Sequence, residues 1–267
     1  MKFIVVISSL FIANLSFAQI ERLKGSWISK DNEMISISDT LESNNYLTNQ
    51  HLRSDNYYLE ILQDTISFQH RYYSSSENYN KLHILKYDMK IVEQNDSILI
   101  IKPIGDHTKR FFQKSEPIKF VKRDYIKNEH FLFEKLIFHT SECFGTCPVI
   151  DLEISNTRSV RLNIKSYPYY KAENSASFSG ELSDKLYKEL IHLLIISKIS
   201  DLNMNPDPRM LCCDGAIKTL ITYHNGKRNY IKVMFEPYLI RDLISFLYQI
   251  EKHADLIKVS EKFEFKE

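Results

Sequence analysis

Four cysteines, Cys143, Cys147, Cys212 and Cys213, have the widest chemical scope in this chain of 267 residues, and all fall in its second half. A cysteine acts as nucleophile, redox thiol, metal ligand or half of a disulfide, according to its neighbours and its compartment. Cys143 and Cys147 lie in the run Ser141-Glu142-Cys143-Phe144-Gly145-Thr146-Cys147-Pro148. A dithiol oxidoreductase needs C-x-x-C at a helix start, where the local field lowers a thiol pKa. Here the spacing is one residue wider, and the pattern after Pro148 is that of a strand. A tetrahedral zinc site needs four ligands, which His139, Cys143, Cys147 and either Cys212 or Cys213 would supply. A cysteine nucleophile would take its base from His139 or His224. In an oxidising compartment the ordinary outcome is pairing, and four cysteines allow three connectivities. Gly145 suits a tight turn closed by Cys143 and Cys147, because glycine adopts backbone angles closed to other residues. A bond inside so small a turn fixes its shape. A bond from Cys143 or Cys147 to Cys212 or Cys213 would instead staple the first hairpin of this half to the second, contributing about 4 kcal/mol. A vicinal Cys212–Cys213 bond would be strained and easily reduced.

Other polar groups near this run give no acid–base pair. Glu142, Asp151, Glu153 and Asp214 are close in sequence; alternation turns Glu153 to solvent, and Asp214 suits a capped turn before the second hairpin. The tyrosines of Tyr167-Pro168-Tyr169-Tyr170 fit either a partner- or glycan-contacting loop or an amphipathic strand edge. Neither G-x-G-x-x-G nor G-x-x-x-x-G-K-S/T occurs, nor H-E-x-x-H or G-x-S-x-G, and six glycines leave little room for phosphate-cradling loops. With 35 basic and 34 acidic residues the formal charge is +1, so no surplus field holds phosphate backbones or acidic lipid. Nucleic acid is therefore not an expected partner.

The elements that position the cysteines are preceded by a leader. Lys2, the apolar run from Phe3 to Ala13 and the small-x-small ending Ser16-Phe17-Ala18 read as a secretory signal peptide, residues 1–18, cut before Gln19. The apolar run is shorter than the ~20 residues that span a bilayer. No cysteine follows the cut, and the mature chain is expected to be secreted or periplasmic, without stable membrane insertion. Residues 19–124 hold short alternating runs, among them Gly25 to Ile28, Met34 to Ile37, Tyr58 to Ile61, Ile66 to Phe68, Leu82 to Tyr87, Ile91 to Glu93, Ile98 to Ile101, Arg110 to Phe112 and Ile118 to Val121. Period-two alternation between polar turns predicts an antiparallel meander of eight or nine strands, without helix, that curls into a small barrel. The polar stretches Asn44 to Asn56 and Tyr73 to Asn80 are expected as rim loops.

A charged linker, residues 125–130, leads to a second domain, residues 131–256, with a polar tail at 257–267. Phe133 to His139, Val149 to Ile154 and Val160 to Ile164 read as strands. Ser183 caps a helix whose stripe is Leu186, Leu190, Leu193 and Leu194, and Asn225-Gly226 turns a hairpin between Ile217–Tyr223 and Tyr230–Phe235. Pro237 opens a closing helix bearing Leu239, Leu243, Phe246 and Leu247. The fold class is mostly β with two domains: a β-meander or small barrel, then an α+β domain whose antiparallel sheet two helices cover.

Two resemblances add expectations. Gly25-Ser26-Trp27 resembles the G-x-W start of lipocalin-like barrels, which implies a tryptophan plugging one end and a cavity for a small apolar ligand, unless the unit's own side chains fill it. Cys143-Phe144-Gly145-Thr146-Cys147-Pro148 resembles the C-F-G-x-C-P signature of a domain-of-unknown-function family of secreted bacterial proteins, often from Bacteroidetes, over about Phe133 to His253. Gly180, Asp214 and Pro237 fall at expected positions of that family. The signature carries these two cysteines alone, which implies a Cys143–Cys147 bond and leaves Cys212 and Cys213 outside the pattern. It implies no activity and no cofactor. The expected function is an exported binding or scaffolding module, with Phe144, Gly145, Thr146, Pro148 and Asp214 as its motif and a small apolar molecule, a glycan or a protein as partner. The alternative is thiol redox or metal chemistry at Cys143 and Cys147, the metal set being His139, Cys143, Cys147 and Cys212.

Overall fold

The computed structural model describes residues 21–38, 44–51, 54–166, 174–202, 204 and 214–265. The expected signal peptide, the Tyr167–Tyr170 run, Cys212 and Cys213 lie outside the described residues. The chain divides into two compact units, Met1–Ile126 and Lys127–Glu267.

In the first unit eight strands close into a barrel: β1 (Gly25–Ser29), β2 (Met34–Ile37), β3 (Asn45–Thr48), β4 (Ser54–Leu62), β5 (Thr65–Tyr73), β6 (Leu82–Gln94), β7 (Ile98–Pro103) and β8 (Ile118–Lys122). Each pairs antiparallel with the next, and β1 closes on β8 with Trp27 opposite Lys122 and Ile28 opposite Val121. Closure removes both free edges. One residue in two points inward along every strand, so Trp27, Ile35, Leu47, Leu59, Phe68, Met89, Leu99 and Phe120 form one buried cluster. That cluster answers the cavity expectation. The unit's own rings occupy its interior, and the apolar-ligand reading is replaced by a packed core. The Trp27 indole N–H donates to the Leu23 carbonyl at 2.7 Å, which satisfies its one polar atom inside the core.

Three parts of this unit depart from the sequence pattern. Arg110 to Phe112 belongs to a helix, Asp106–Phe112, not to a strand. Gly105 enters it in extended conformation, Asp106 sits in its first turn, and Thr108 and Phe112, four apart, are its buried face. The expected rim loop from Asn44 to Asn56 contains β3 and the start of β4. Its polar composition hides the strand because those groups are buried and bonded: Asn45 accepts from the Ser38 N–H at 3.0 Å and donates to the Tyr57 carbonyl at 3.4 Å. Leu82 to Tyr87 and Ile91 to Glu93 are one strand, β6, interrupted by a bulge between Ile91 and Glu93.

In the second unit seven strands form one antiparallel sheet: β9 (Phe133–Thr140), β10 (Val149–Ser155), β11 (Ser159–Ser166), β12 (Asn174–Glu181), β13 (Lys218–His224), β14 (Lys227–Val233) and β15 (Asp255–Val259), in the spatial order β14-β13-β9-β10-β11-β12-β15. The register lines up Leu220, Phe138, Leu152 and Leu162 in one buried row across four strands. The helices Asp184–Ile196 and Arg241–Tyr248 cover this face with Leu190, Leu194, Leu243 and Leu247, and the Phe138 ring meets Tyr248 edge-on at 5.5 Å. Ser183 caps the first helix by accepting from the Leu186 N–H at 3.3 Å. Pro237 precedes a short turn, Tyr238–Ile240, that leads into the second. Asn225 and Gly226 both have positive φ, +51° and +68°, as a two-residue hairpin turn between β13 and β14 requires.

Two strands, β12 and β15, have no signature in the sequence pattern. β12 is mostly small and polar, Asn-Ser-Ala-Ser-Phe-Ser-Gly-Glu, and β15 carries two charges, Asp255 and Lys258, in five residues. They pair with each other, and a Cβ at Gly180 would stand 2.3 Å from the Asp255 carbonyl oxygen, so only glycine permits the approach. Among the described residues no helix is long and apolar enough to cross a membrane.

Two measurements test this packing. Replacing Trp27 by alanine leaves a void in the barrel core and is expected to cost about 3–5 kcal/mol, read from the denaturant midpoint of the first unit; a loss under about 1 kcal/mol would contradict a filled interior. Burial, then the neighbouring Tyr87 and Asp55, push the Tyr57 hydroxyl well above its ordinary pKa of 10.0. Burial likewise raises Tyr87, Tyr187 and Tyr248. The folded chain keeps these protons beyond the point where the unfolded chain releases them. Their contribution is therefore complete below about pH 10 and is lost as pH rises above it, and a denaturant midpoint unchanged at about pH 11 would refute the burial.

Candidate functional site

Strands β9 and β10 are joined by residues 141–148, which hold the cysteine motif. The neck of this loop is closed by Thr140, fully buried, whose hydroxyl donates to the Pro148 carbonyl and accepts from the Ile150 N–H, both at 2.9 Å. Ser141 fixes the loop sideways: its N–H donates to the Ile217 carbonyl and its hydroxyl accepts from the Ile217 N–H, both at 2.9 Å. Above this neck Cys143 and Cys147 are disulfide-bonded, with Cα atoms 5.7 Å apart. The Gly145 N–H donates to the Cys143 carbonyl at 2.9 Å, and Gly145 has φ +154°, in the range that favours glycine. Asp214 contributes its main-chain carbonyl, which accepts from the Phe144 N–H at 3.2 Å. The backbone of the turn is thus tied at both ends and at its tip. Phe144, in contrast, is 89% exposed, the highest value among the large apolar residues described. Gly145 and Thr146 are exposed beside it, and Pro148 is half-buried at the base.

On the sheet face away from the helices, register places Thr219, His139, Asp151, Asn163 and Ser177 in one polar row. His139 Nδ1 bonds the Asp151 carboxylate. The Lys165 ammonium reaches Glu142 of the loop at 2.9 Å. Glu153 points to this face, as alternation requires, but its side chain is only 13% exposed because it holds the Arg161 guanidinium and lies 3.8 Å from Lys135. A hollow of about 400 Å³ opens here, lined by Val149, Asp151, Asn163, Lys165, Ser177 and Lys262. A larger one, about 620 Å³, lies between the two helices, away from the motif.

These positions bear on each chemistry that the cysteines offer. Cys143 and Cys147 are bonded to each other and His139 faces Asp151, so these three do not converge as ligands; Cys212, the fourth of the set, lies outside the described residues. Among the described residues no group of three or more His, Cys, Asp and Glu side chains is arranged to hold a metal ion. His224, the other candidate base, sits at the far end of β13 from the loop, about 20 Å of strand away. It is buried, bonded to Asn229 at 2.8 Å and stacked on Phe131. Thr140, Ser141 and Lys165 carry the loop's support and had no sequence signal, because their partners are set by strand register and not by spacing.

Residues 134–252 match the family described as a domain of unknown function, DUF6438, a span that includes the disulfide loop, the second hairpin and both helices. No curated protein and no solved structure matches the chain.

Thiol counting tests the loop. Alkylation of the non-reduced protein is expected to leave Cys143 and Cys147 unlabelled and to label both after reduction. The double substitution Cys143→Ser with Cys147→Ser should cost about 2 kcal/mol, the loop-closure value for so short a ring. Labelling of both without reductant would remove the disulfide from the site.

Proposed function

We propose that the chain is an exported, non-catalytic binding module and that the turn closed by Cys143 and Cys147 is the contact it offers. The observation that carries this reading is Phe144, 89% exposed at the tip of a turn whose backbone is held by Asp214, Ile217 and a disulfide. An aromatic side chain kept in solvent forgoes about 1.5–3 kcal/mol of burial, which association with a partner returns. A turn already fixed in shape loses little conformational entropy when it docks, so most of that gain appears as affinity.

Export rests on the leader, with Lys2, the apolar run Phe3 to Ala13 and a cut after Ala18, and on the compartment in which a solvent-facing disulfide persists. The C-F-G-x-C-P resemblance over Phe133 to His253 agrees with both. The G-x-W resemblance at Gly25-Ser26-Trp27 supports a lipocalin-like shape for the first unit, here with a filled interior, so the partner is a protein or a glycan and not a small apolar molecule held in the barrel. Metal binding would need Cys143 and Cys147 as thiolates, whereas a redox role would begin from the disulfide and require its exchange with an outside thiol.

The test is retention of envelope and culture-medium components of the producing cell on the immobilised mature chain, compared with Phe144→Ala. Retention of a defined partner is expected to fall at least tenfold in the variant, with an unchanged near-ultraviolet dichroism spectrum. Equal retention by the two proteins would overturn Phe144 as the contact.

A further inference from the structure

The strongest recognition geometry in the second unit lies on the outer sheet face, away from the Phe144 turn, and its occupant is the chain's own C-terminal segment. After β15 the chain turns back across the sheet, and Phe263 reaches Asn163 on β11, two strands in from the edge. The Asn163 amide donates to the Phe263 carbonyl at 2.8 Å and accepts from the Phe263 N–H at 3.2 Å, so one side chain reads both main-chain groups of a single residue. Asn163 is 7% exposed, and the Ser177 hydroxyl donates to its Oδ1 at 2.9 Å, which fixes the amide orientation. Beside it the Arg161 guanidinium, held by Glu153, lies 5.7 Å from the Phe263 ring and 5.5 Å from the Phe265 ring. Phe263 and Phe265 are two apart, so in an extended segment both rings face the same way and meet one cation.

We propose that this face is a peptide-recognition groove for an extended partner segment with aromatic side chains at alternate positions, and that residues 260–265 are its resident, displaceable occupant. The contacts that hold the segment are to the main chain of Phe263 and to the rings of Phe263 and Phe265. Phe263 and Phe265 are only half-buried and Glu264 is exposed, and the segment lies on the outer face, so it leaves without disturbing the core on the helix face. The hollow of about 400 Å³ lies beside this segment, walled by Ser260 and Lys262 on one side and by Val149, Asn163 and Lys165 on the other, which leaves open space next to the occupant. This inference stands on Asn163, Arg161 and the tail, and is independent of Phe144.

The test titrates a fluorescein-labelled peptide of sequence Ser-Glu-Lys-Phe-Glu-Phe-Lys-Glu, the chain's own residues 260–267, and reads anisotropy. Against a chain ending at Val259, saturable binding is expected. Binding to the full chain should be at least tenfold weaker, because the resident segment competes at high local concentration. Asn163→Ala in the shortened chain, and replacement of both phenylalanines in the peptide, should each weaken binding at least tenfold. No saturable binding, equal binding by full and shortened chains, or indifference to Asn163→Ala would each overturn the proposal. If the shortened chain does not fold, the full chain with Phe263→Ala and Phe265→Ala replaces it and must bind the peptide more tightly than the unaltered chain does. The assay contains no partner for Phe144, so its failure and the failure of the retention experiment are separate results.

Discussion

Antiparallel pairing of β9 with β10 places Asp151 opposite His139 and sets the span that residues 141–148 must bridge between Thr140 and Val149. Every feature of the candidate site follows from that register. Thr140 lies within reach of Pro148 and Ile150 because adjacent strands stand about 4.8 Å apart, and its hydroxyl bonds both sides of the neck. The disulfide then closes a ring that the sheet has already brought nearly shut. A one-residue slip would move His139, Asp151 and Asn163 to the helix side and bring Phe138 and Leu152 into solvent, an exchange that hydrophobic burial forbids.

The parts of this architecture that were legible in the sequence are those whose chemistry is local. Ser183 caps a helix through the N–H three residues on, and Asn225 and Gly226 turn a hairpin through their own backbone angles; the pairing of Cys143 with Cys147 was one of three open connectivities, favoured only by the C-F-G-x-C-P resemblance. What was not legible depends on distant partners. Asn45 looks like loop material until Ser38 and Tyr57 take up its amide. β12 carries one large apolar residue, Phe178, and is a strand because β11 and β15 flank it; Gly180 marks the close approach to β15 but reads in isolation as a turn signal. The helix Asp106–Phe112 is just under two turns long, too brief for a helical period to separate from alternation. In the site, the Phe144 turn was legible and its supports, Ser141 and Thr140, were not. The pairing of Asn163 with Phe263 spans 100 residues, which no local pattern records.

Both units hold some aromatic rings inside and others in solvent, Tyr72, Tyr73 and Tyr79 among the exposed ones of the first. In the first, Trp27, Phe68, Phe112 and Phe120 face inward and are fully buried, which leaves a closed, edgeless body with a solid interior. In the second, the core on the helix face is largely aliphatic, and Phe144, Phe263 and Phe265 lie on the loop or the outer face. Rings outside a core contribute little to folding and much to association, because their apolar area is still available to be covered.

An open sheet has two edges and two faces, and only the helix-covered face of the second unit is settled by packing alone. The β15 edge is guarded by its own chemistry: the strand is short, carries Asp255 and Lys258, and approaches β12 so closely at Gly180 that no side chain fits there. The outer face is guarded in another way. Asn163 is buried with the C-terminal segment lying across it, and a buried amide costs about 1–3 kcal/mol unless it has a partner there. The C-terminal segment supplies it from within the chain, with main-chain groups and two rings that any extended aromatic-x-aromatic segment also possesses. Because the donors read the backbone and not a particular side chain, the groove distinguishes occupants chiefly by ring spacing. The resident tail holds its place by proximity more than by unique fit.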